Sequence, residues 1–204
     1  MSYSILVIED EEIIANHLRN LLSDMGYQCP EVLPSYESAR TALSEMKIDL
    51  AFLDIDLKSE KSGIDIGQYI HDFIKIPFIY LTAHADERTF ESAKVTLPAA
   101  FLIKPFKPVE LKPTIEIAIN NFRILEGKNR NHALWDQLSA TEKLIIKMIS
   151  EQKTSVQIAD QLSISKSTVK NHRHHICQKL NLPHTNNSLL GWVLSNQGWL
   201  SQAN

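Results

Sequence analysis

The chain has 204 residues with ordinary globular composition, 44% hydrophobic and 22% charged, enough for two small cores. No uninterrupted apolar stretch approaches a membrane span, Met1-Ser2-Tyr3 leaves no room for a signal peptide, and two distant cysteines, Cys29 and Cys177, exclude a disulfide framework. A reducing cytoplasm is therefore the expected location. The net charge of −3 divides unevenly: residues 1–125 hold 12 basic against 19 acidic side chains, residues 126–204 hold 9 against 5, and no acidic residue follows Asp160. An acidic half joined to a basic half suggests two tasks, with nucleic acid as a candidate partner for the second.

Period-2 and period-3.6 segments alternate through the first half. Ser4–Ile8 reads as a β-branched strand, and Ile13, Ile14, Leu18, Leu21, Leu22 and Met25 follow at helical spacing up to a C-cap at Gly26. Cys29–Leu33 is expected as a strand and Tyr36–Met46 as a helix capped by Ser35. Further pairs follow: strand Leu50–Leu53 with helix Ile64–Ile74, strand Pro77–Leu81 with helix Asp86–Val95, and strand Ala100–Ile103 with helix Val109–Leu125. Five such pairs with short connections predict an α/β domain over residues 1–125, a parallel sheet covered on both faces. Residues 126–137, "EGKNRNHALWDQ", show no clear period and read as a linker. Residues 138–204 read as a small all-α domain of about four helices, broken near Lys153, Ser163 and Pro183.

In an open parallel sheet, chemistry collects where loops leave the carboxyl ends of the strands. Those ends carry Glu9-Asp10, Asp54, Thr82 and Lys104-Pro105. Clustered carboxylates repel unless a hard cation lies among them, and Mg²⁺ favours a few carboxylates plus water and phosphate oxygens. A carboxylate beside Mg²⁺ can act as nucleophile toward phosphorus, with the lysine offsetting charge on the transferred group. Asp54, on the central strand, is the expected nucleophile, and Thr82 can donate its hydroxyl to the new phosphoryl oxygen.

The motifs "ILVIEDEE", "LAFLDIDL", "IPFIYLTAHAD" and "FLIKPF" lie in order over residues 3–120, which resemble a response-regulator receiver domain. The resemblance implies a flavodoxin-like (βα)5 fold with Mg²⁺ held by Glu9, Asp10, Asp54 and the main-chain carbonyl of Asp56. It makes Asp54 the phosphoacceptor, with Thr82 and Lys104 sensing the phosphoryl group and Phe101 reorienting with Thr82. The loop "LKSEKSG" departs from the pattern, with Lys58 where many relatives have proline; Asp56 and His84 stand at variable positions flanking the phosphate. A "DID" pair could also suggest a haloacid-dehalogenase-type phosphatase, but that family uses its first strand rather than its third.

The second informative stretch is "SVQIADQLSISKSTVKNHRHHICQKL", residues 155–180. Ala159 is small where two helices would cross, Ser163-Ile164-Ser165 forms a short turn, and Val169, Ile176 and Leu180 give the following helix a buried face. This is helix-turn-helix spacing, in which the second helix enters the major groove. Its outer side offers Lys166, Ser167, Thr168, Lys170, Asn171, Arg173 and Lys179, types that bind phosphates or base edges.

Residues 138–200 as a whole resemble the LuxR/NarL-type output domain, through Leu138-Ser139-x-x-Glu142, "IADQLSISKSTVKNH" and "KLNL". The resemblance implies that Lys170 and His172 lie at the DNA face, with Ser167, Thr168 and Lys179 as neighbours. It also gives the last helix, around Leu189–Leu194, the dimer contact, and makes Gln152 a replacement for a frequent glycine. Together the two resemblances imply a transcription regulator, not a turnover enzyme. A histidine kinase would phosphorylate Asp54, switching dimerisation or interdomain contacts, and a homodimer would read two half-sites on double-stranded DNA. The alternatives are a regulator that binds DNA independently of phosphorylation and, from a different class, an RNA-binding antiterminator.

Overall fold

The computed structural model describes residues 2–83, 87–183, 185 and 187–201, with Lys128 in its backbone alone. The chain divides into two compact units, Met1–Ile124 and Leu125–Asn204, each described by itself. His84, Asp86 and His184 lie outside the described residues, and with them the expected start of the fourth helix.

In the first unit β1 (Ile5–Ile8), β2 (Val32–Leu33), β3 (Leu50–Asp54), β4 (Phe78–Thr82) and β5 (Ala100–Ile103) form one parallel sheet in the order β2-β1-β3-β4-β5. The helices between them are α1 (Glu12–Asp24), α2 (Tyr36–Glu45), α3 (Gly63–Tyr69, continued by a π-helical turn at Ile70–Ile74) and α4 (Glu87–Val95), and α5 (Pro108–Asp136) follows β5 and continues into the second unit. Successive strand residues face opposite sides of a sheet, and here they feed two separate cores. Ile5, Val7, Leu50, Phe52, Ile79 and Leu81 join Leu18 and Leu22 of α1 and Leu111, Ile115 and Ile119 of α5. Leu6, Ile8, Ala51, Leu53, Phe78 and Tyr80 join Ala39 and Leu43 of α2, Ile66 of α3 and Ala93 of α4. The central strands β1, β3 and β4 are apolar up to their carboxyl-terminal residues because both faces are covered.

Two expectations change. The Cys29–Leu33 strand shrinks to Val32–Leu33, with only an isolated Ser4–Gln28 bridge ahead of it, because Pro30 brings no N–H to a ladder. The residues expected as a linker, 126–137, are helical as far as Asp136 within α5. They contain good helix formers and one interior breaker, Gly127, while Leu134 and Trp135 gain burial against the second core.

The second unit adds α6 (Ala140–Ser150), α7 (Ser155–Leu162), α8 (Lys166–Lys179), α9 (Ser188–Ser195) and the single turn α10 (Gln197–Leu200). Its core is Leu138, Ile145, Ile146, Ile149, Ile158, Val169, Ile176, Leu180, Leu189 and Val193. Helix starts are set by side chains: Ser139 and Thr154 form capping boxes with Glu142 and Gln157, and Ser165 accepts from the Thr168 amide. Breaks fall at left-handed residues Gln152 (φ 61°), Ser163 (φ 53°) and Asn181 (φ 53°). Gln152 stands where the resemblance gives a frequent glycine, and the positive φ is the physical reason for that preference. Among the described residues no helix is long and apolar enough to cross a membrane.

Candidate functional site

The strand order reverses between β1 and β3, so the loops leaving their carboxyl ends diverge and open a crevice there. Glu9 and Asp10 follow β1, Asp54 ends β3 and Lys104 follows β5, and these carboxylates and the ammonium meet, while Thr82 ends β4, the strand paired with β3. Glu9, Asp54 and Thr82 are buried to within 4% of full burial. One ammonium serves two of the carboxylates: Lys104 Nζ lies 2.6 Å from Glu9 Oε2 and 3.0 Å from Asp54 Oδ1. The Asp56 amide reaches Asp54 Oδ1 at 3.4 Å, while the Asp56 side chain is exposed.

The electrostatics follow from burial. Desolvation pushes the Glu9 carboxyl above its ordinary range and the Asp54 charge adds to this, against the opposing pull of Lys104. Burial works to lower the Lys104 pKa, but the Glu9 and Asp54 carboxylates outweigh it and the net shift is upward.

Carboxylate oxygens of Glu9, Asp10 and Asp54 lie within 4.8 Å of one another, and Asp10 Oδ1 is buried without a hydrogen-bond partner among the described residues. A hard, all-oxygen donor set with spare acceptor capacity fits Mg²⁺. Thr82 Oγ1 is likewise buried and unpaired.

Two features of this site were not assigned a role in the sequence. Lys58 Nζ lies 3.2 Å from Asp10 Oδ2, which nothing local to "LKSEKSG" foretells. Gly63 packs over the Asp54 backbone so closely that a Cβ there would stand 1.8 Å from the Asp54 carbonyl oxygen. Phe101 is half-buried, its ring 4.7 Å from that of Phe90 and 5.5 Å from that of Tyr80.

In the second unit α7 and α8 pack across the Ser163 turn, with Ala159 buried at the crossing and the Ile164 amide bonded to the Ala159 carbonyl at 3.0 Å. Lys166, Ser167, Lys170 and Asn171 are exposed; Thr168, His172 and Arg173 are half-buried. The Ser167 and Thr168 hydroxyls lie 2.7 Å from Ser165 Oγ, inside the cap of α8. Arg173 donates to Ser155 Oγ at 3.4 Å, and Ser155, Lys166, Lys170, Arg173 and His174 line a groove of about 620 Å³. Ser155 was not singled out from sequence; its only signal is its place at the first turn of α7.

Lys179, expected as a neighbour of the DNA face, has a partner within the fold. Its ammonium is 2.7 Å from Glu142, a buried carboxylate that also closes the α6 capping box. Burial opposes ionisation of Glu142, yet Lys179 and the Ser139 amide and hydroxyl hold its carboxyl below the usual range. In the folded unit this lysine is paired with Glu142, its side chain 38% exposed.

Residues 5–116 match the response regulator receiver domain, and residues 136–189 match the bacterial regulatory proteins of the luxR family. The chain is 28% identical over 184 residues to Nodulation protein W of Bradyrhizobium diazoefficiens, covering 86% of this chain and 79% of that one. It is 26% identical over 188 residues to the response regulator protein TodT of Pseudomonas putida, with the same coverage, 86% and 79%. Among solved structures, the response regulator StyR aligns over 100% of both chains at 25% identity and a TM-score of 0.58. Such receivers imply a kinase partner and such helix-turn-helix domains imply DNA binding, in a family of generally non-enzymatic transcription factors. The chain belongs to the response regulator family, with a receiver domain followed by a LuxR-family helix-turn-helix output domain.

Proposed function

We propose that this response regulator is switched by phosphorylation of Asp54 and thereby controls transcription from a cytoplasmic position. The observation that carries the reading is the convergence of Glu9, Asp10 and Asp54 with a half-buried lysine, beside a buried threonine hydroxyl that has no partner among the described residues. An Asp54 carboxylate oxygen attacks the phosphorus of a phosphohistidine on the sensor kinase. The new O–P bond forms as the P–N bond breaks, and the leaving imidazole nitrogen takes a proton. Glu9, Asp10, Asp54 and the Asp56 carbonyl would hold Mg²⁺, which when bound offsets negative charge on the phosphoryl oxygens. Lys104 neutralises the same group from the β5 side, and Thr82 gains in the phosphorylated state the partner its hydroxyl lacks.

Phosphorylation adds about −1.5 to −2 charges and three strong acceptors, so it favours whichever conformation brings Thr82 and Lys104 onto the phosphoryl group. Movement of Thr82 makes room for Phe101, which couples β5 to α4 through Phe90. Ile103 shares the Phe101 side of edge strand β5 and is 67% exposed, an apolar site that supports dimerisation or interdomain contact at this edge. A dimer would present two copies of α8 to half-sites about one DNA turn apart, with Lys166, Ser167, Thr168, Lys170, Asn171, His172 and Arg173 as contacts.

The test is incubation with Mg²⁺ and acetyl phosphate, followed by intact mass, solution size and duplex binding. The expected result is one phosphoryl adduct, absent in Asp54→Asn, with dimerisation or tighter DNA binding. DNA binding identical in the wild type and D54N would instead establish a phosphorylation-independent regulator, and preference for RNA over duplex DNA would overturn the output assignment.

A further inference from the structure

The two lysines at the carboxylate site divide it unequally. Lys104, with its side chain 11% exposed, is committed to Glu9 and Asp54. That leaves Asp10 to Lys58, whose ammonium lies 3.2 Å from Asp10 Oδ2 and 4.0 Å from Glu11 Oε1. The Asp10 side chain is 12% exposed, whereas that of Lys58 is 74% exposed on the loop between β3 and α3. Lys58 can therefore leave along solvent on its flexible four-carbon stem, and Lys104 cannot.

We propose that Lys58 is a tethered counter-ion for Asp10 that competes with the divalent cation and sets the affinity of the site for it. The proposal rests on the reading of Glu9, Asp10 and Asp54 as cation ligands. An ammonium on Asp10 satisfies the same carboxylate that a divalent ion would use. When the ion binds, Lys58 must either stay close to a doubly charged neighbour or give up its partner. Either course weakens binding, by an amount that falls as salt screens it. Lys61 offers an internal control. It lies in the same loop and carries the same charge, but its Nζ stands 4.0 Å from the centroid of the Tyr36 ring, engaged away from the carboxylates.

The experiment is a titration of the full chain with Mn²⁺, reading free ion by electron paramagnetic resonance, on wild type, Lys58→Met and Lys61→Met. Melting temperatures without added metal establish that each variant is folded. K58M should bind Mn²⁺ about three- to tenfold more tightly at low ionic strength. The gain should shrink to less than about twofold near 1 M salt, and K61M should match the wild type. K58M indistinguishable from a wild type that does bind would overturn this inference and leave the cation site standing. Equal tightening in K61M would do the same, by making the effect one of net charge. Absence of binding in both wild type and K58M would overturn the reading of the carboxylates as ligands, and this inference with it.

Discussion

Thr82 and Gly63 illustrate how single residues carry opposite kinds of constraint. The Thr82 hydroxyl is buried without a hydrogen-bond partner among the described residues, so Thr82→Val removes a polar group that contributes little to the resting fold. T82V should change unfolding free energy by less than about 1 kcal/mol in urea denaturation. It should still accept phosphate by intact mass, and lose the phosphorylation-dependent change in size or DNA affinity. Gly63 is constrained by contact. A Cβ would fall 1.8 Å from a backbone oxygen and 2.7 Å from the carbonyl carbon of Asp54, atoms that cannot move without moving the nucleophile. Gly63→Ala should therefore cost about 2–3 kcal/mol of stability and slow phosphorylation by acetyl phosphate, measured by urea titration and by adduct formation with time. In the sequence Gly63 is one more loop glycine; only the approach of α3 to β3 shows what it is for.

At the scale of elements, the Glu142–Lys179 pair fastens the start of α6 to the end of α8 across 37 positions of sequence. The Glu142 carboxyl is held below its ordinary value in the folded chain, so its stabilisation is present above about pH 4.5 and is lost as pH falls through the folded pKa. Lys179→Met should destabilise the second unit at neutral pH by about 1–2 kcal/mol, a value discounted because the Lys179 side chain is 38% exposed. The difference between wild type and variant should shrink as pH falls through the folded Glu142 pKa, a pH series of urea midpoints being the check. The capping box at Ser139 is legible as Leu138-Ser139-x-x-Glu142, but the second partner of Glu142, Lys179, is not. Helix α5 teaches the same lesson. Its residues beyond Leu125 lack a period, and what stabilises Leu134 and Trp135 as helix is burial in the second core.

For the molecule as a whole, charge is separated along the chain, residues 1–125 carrying a net −7 and residues 126–204, which include the helix-turn-helix, a net +4. Lys170, exposed on α8, should contribute one phosphate contact. Lys170→Ala should reduce the slope of log affinity against log salt by about 1, measured on duplex DNA by fluorescence anisotropy. Lys179→Ala should leave that slope nearly unchanged, because its ammonium is already engaged.

The alternation of strand and helix, the presence of two units, the placing of the carboxylates at the strand ends and the helix-turn-helix were all readable from the sequence. They depend on local periodicity, caps and the rule that chemistry in an open parallel sheet collects at the carboxyl ends of its strands. What only the tertiary structure decided is pairing: Lys104 with both Glu9 and Asp54, Lys58 with Asp10, Lys179 with Glu142, and Gly63 against Asp54. Those contacts depend on sheet order, on helix crossings and on how the loop after β3 folds. A short period along the chain carries no record of distances between residues far apart in sequence.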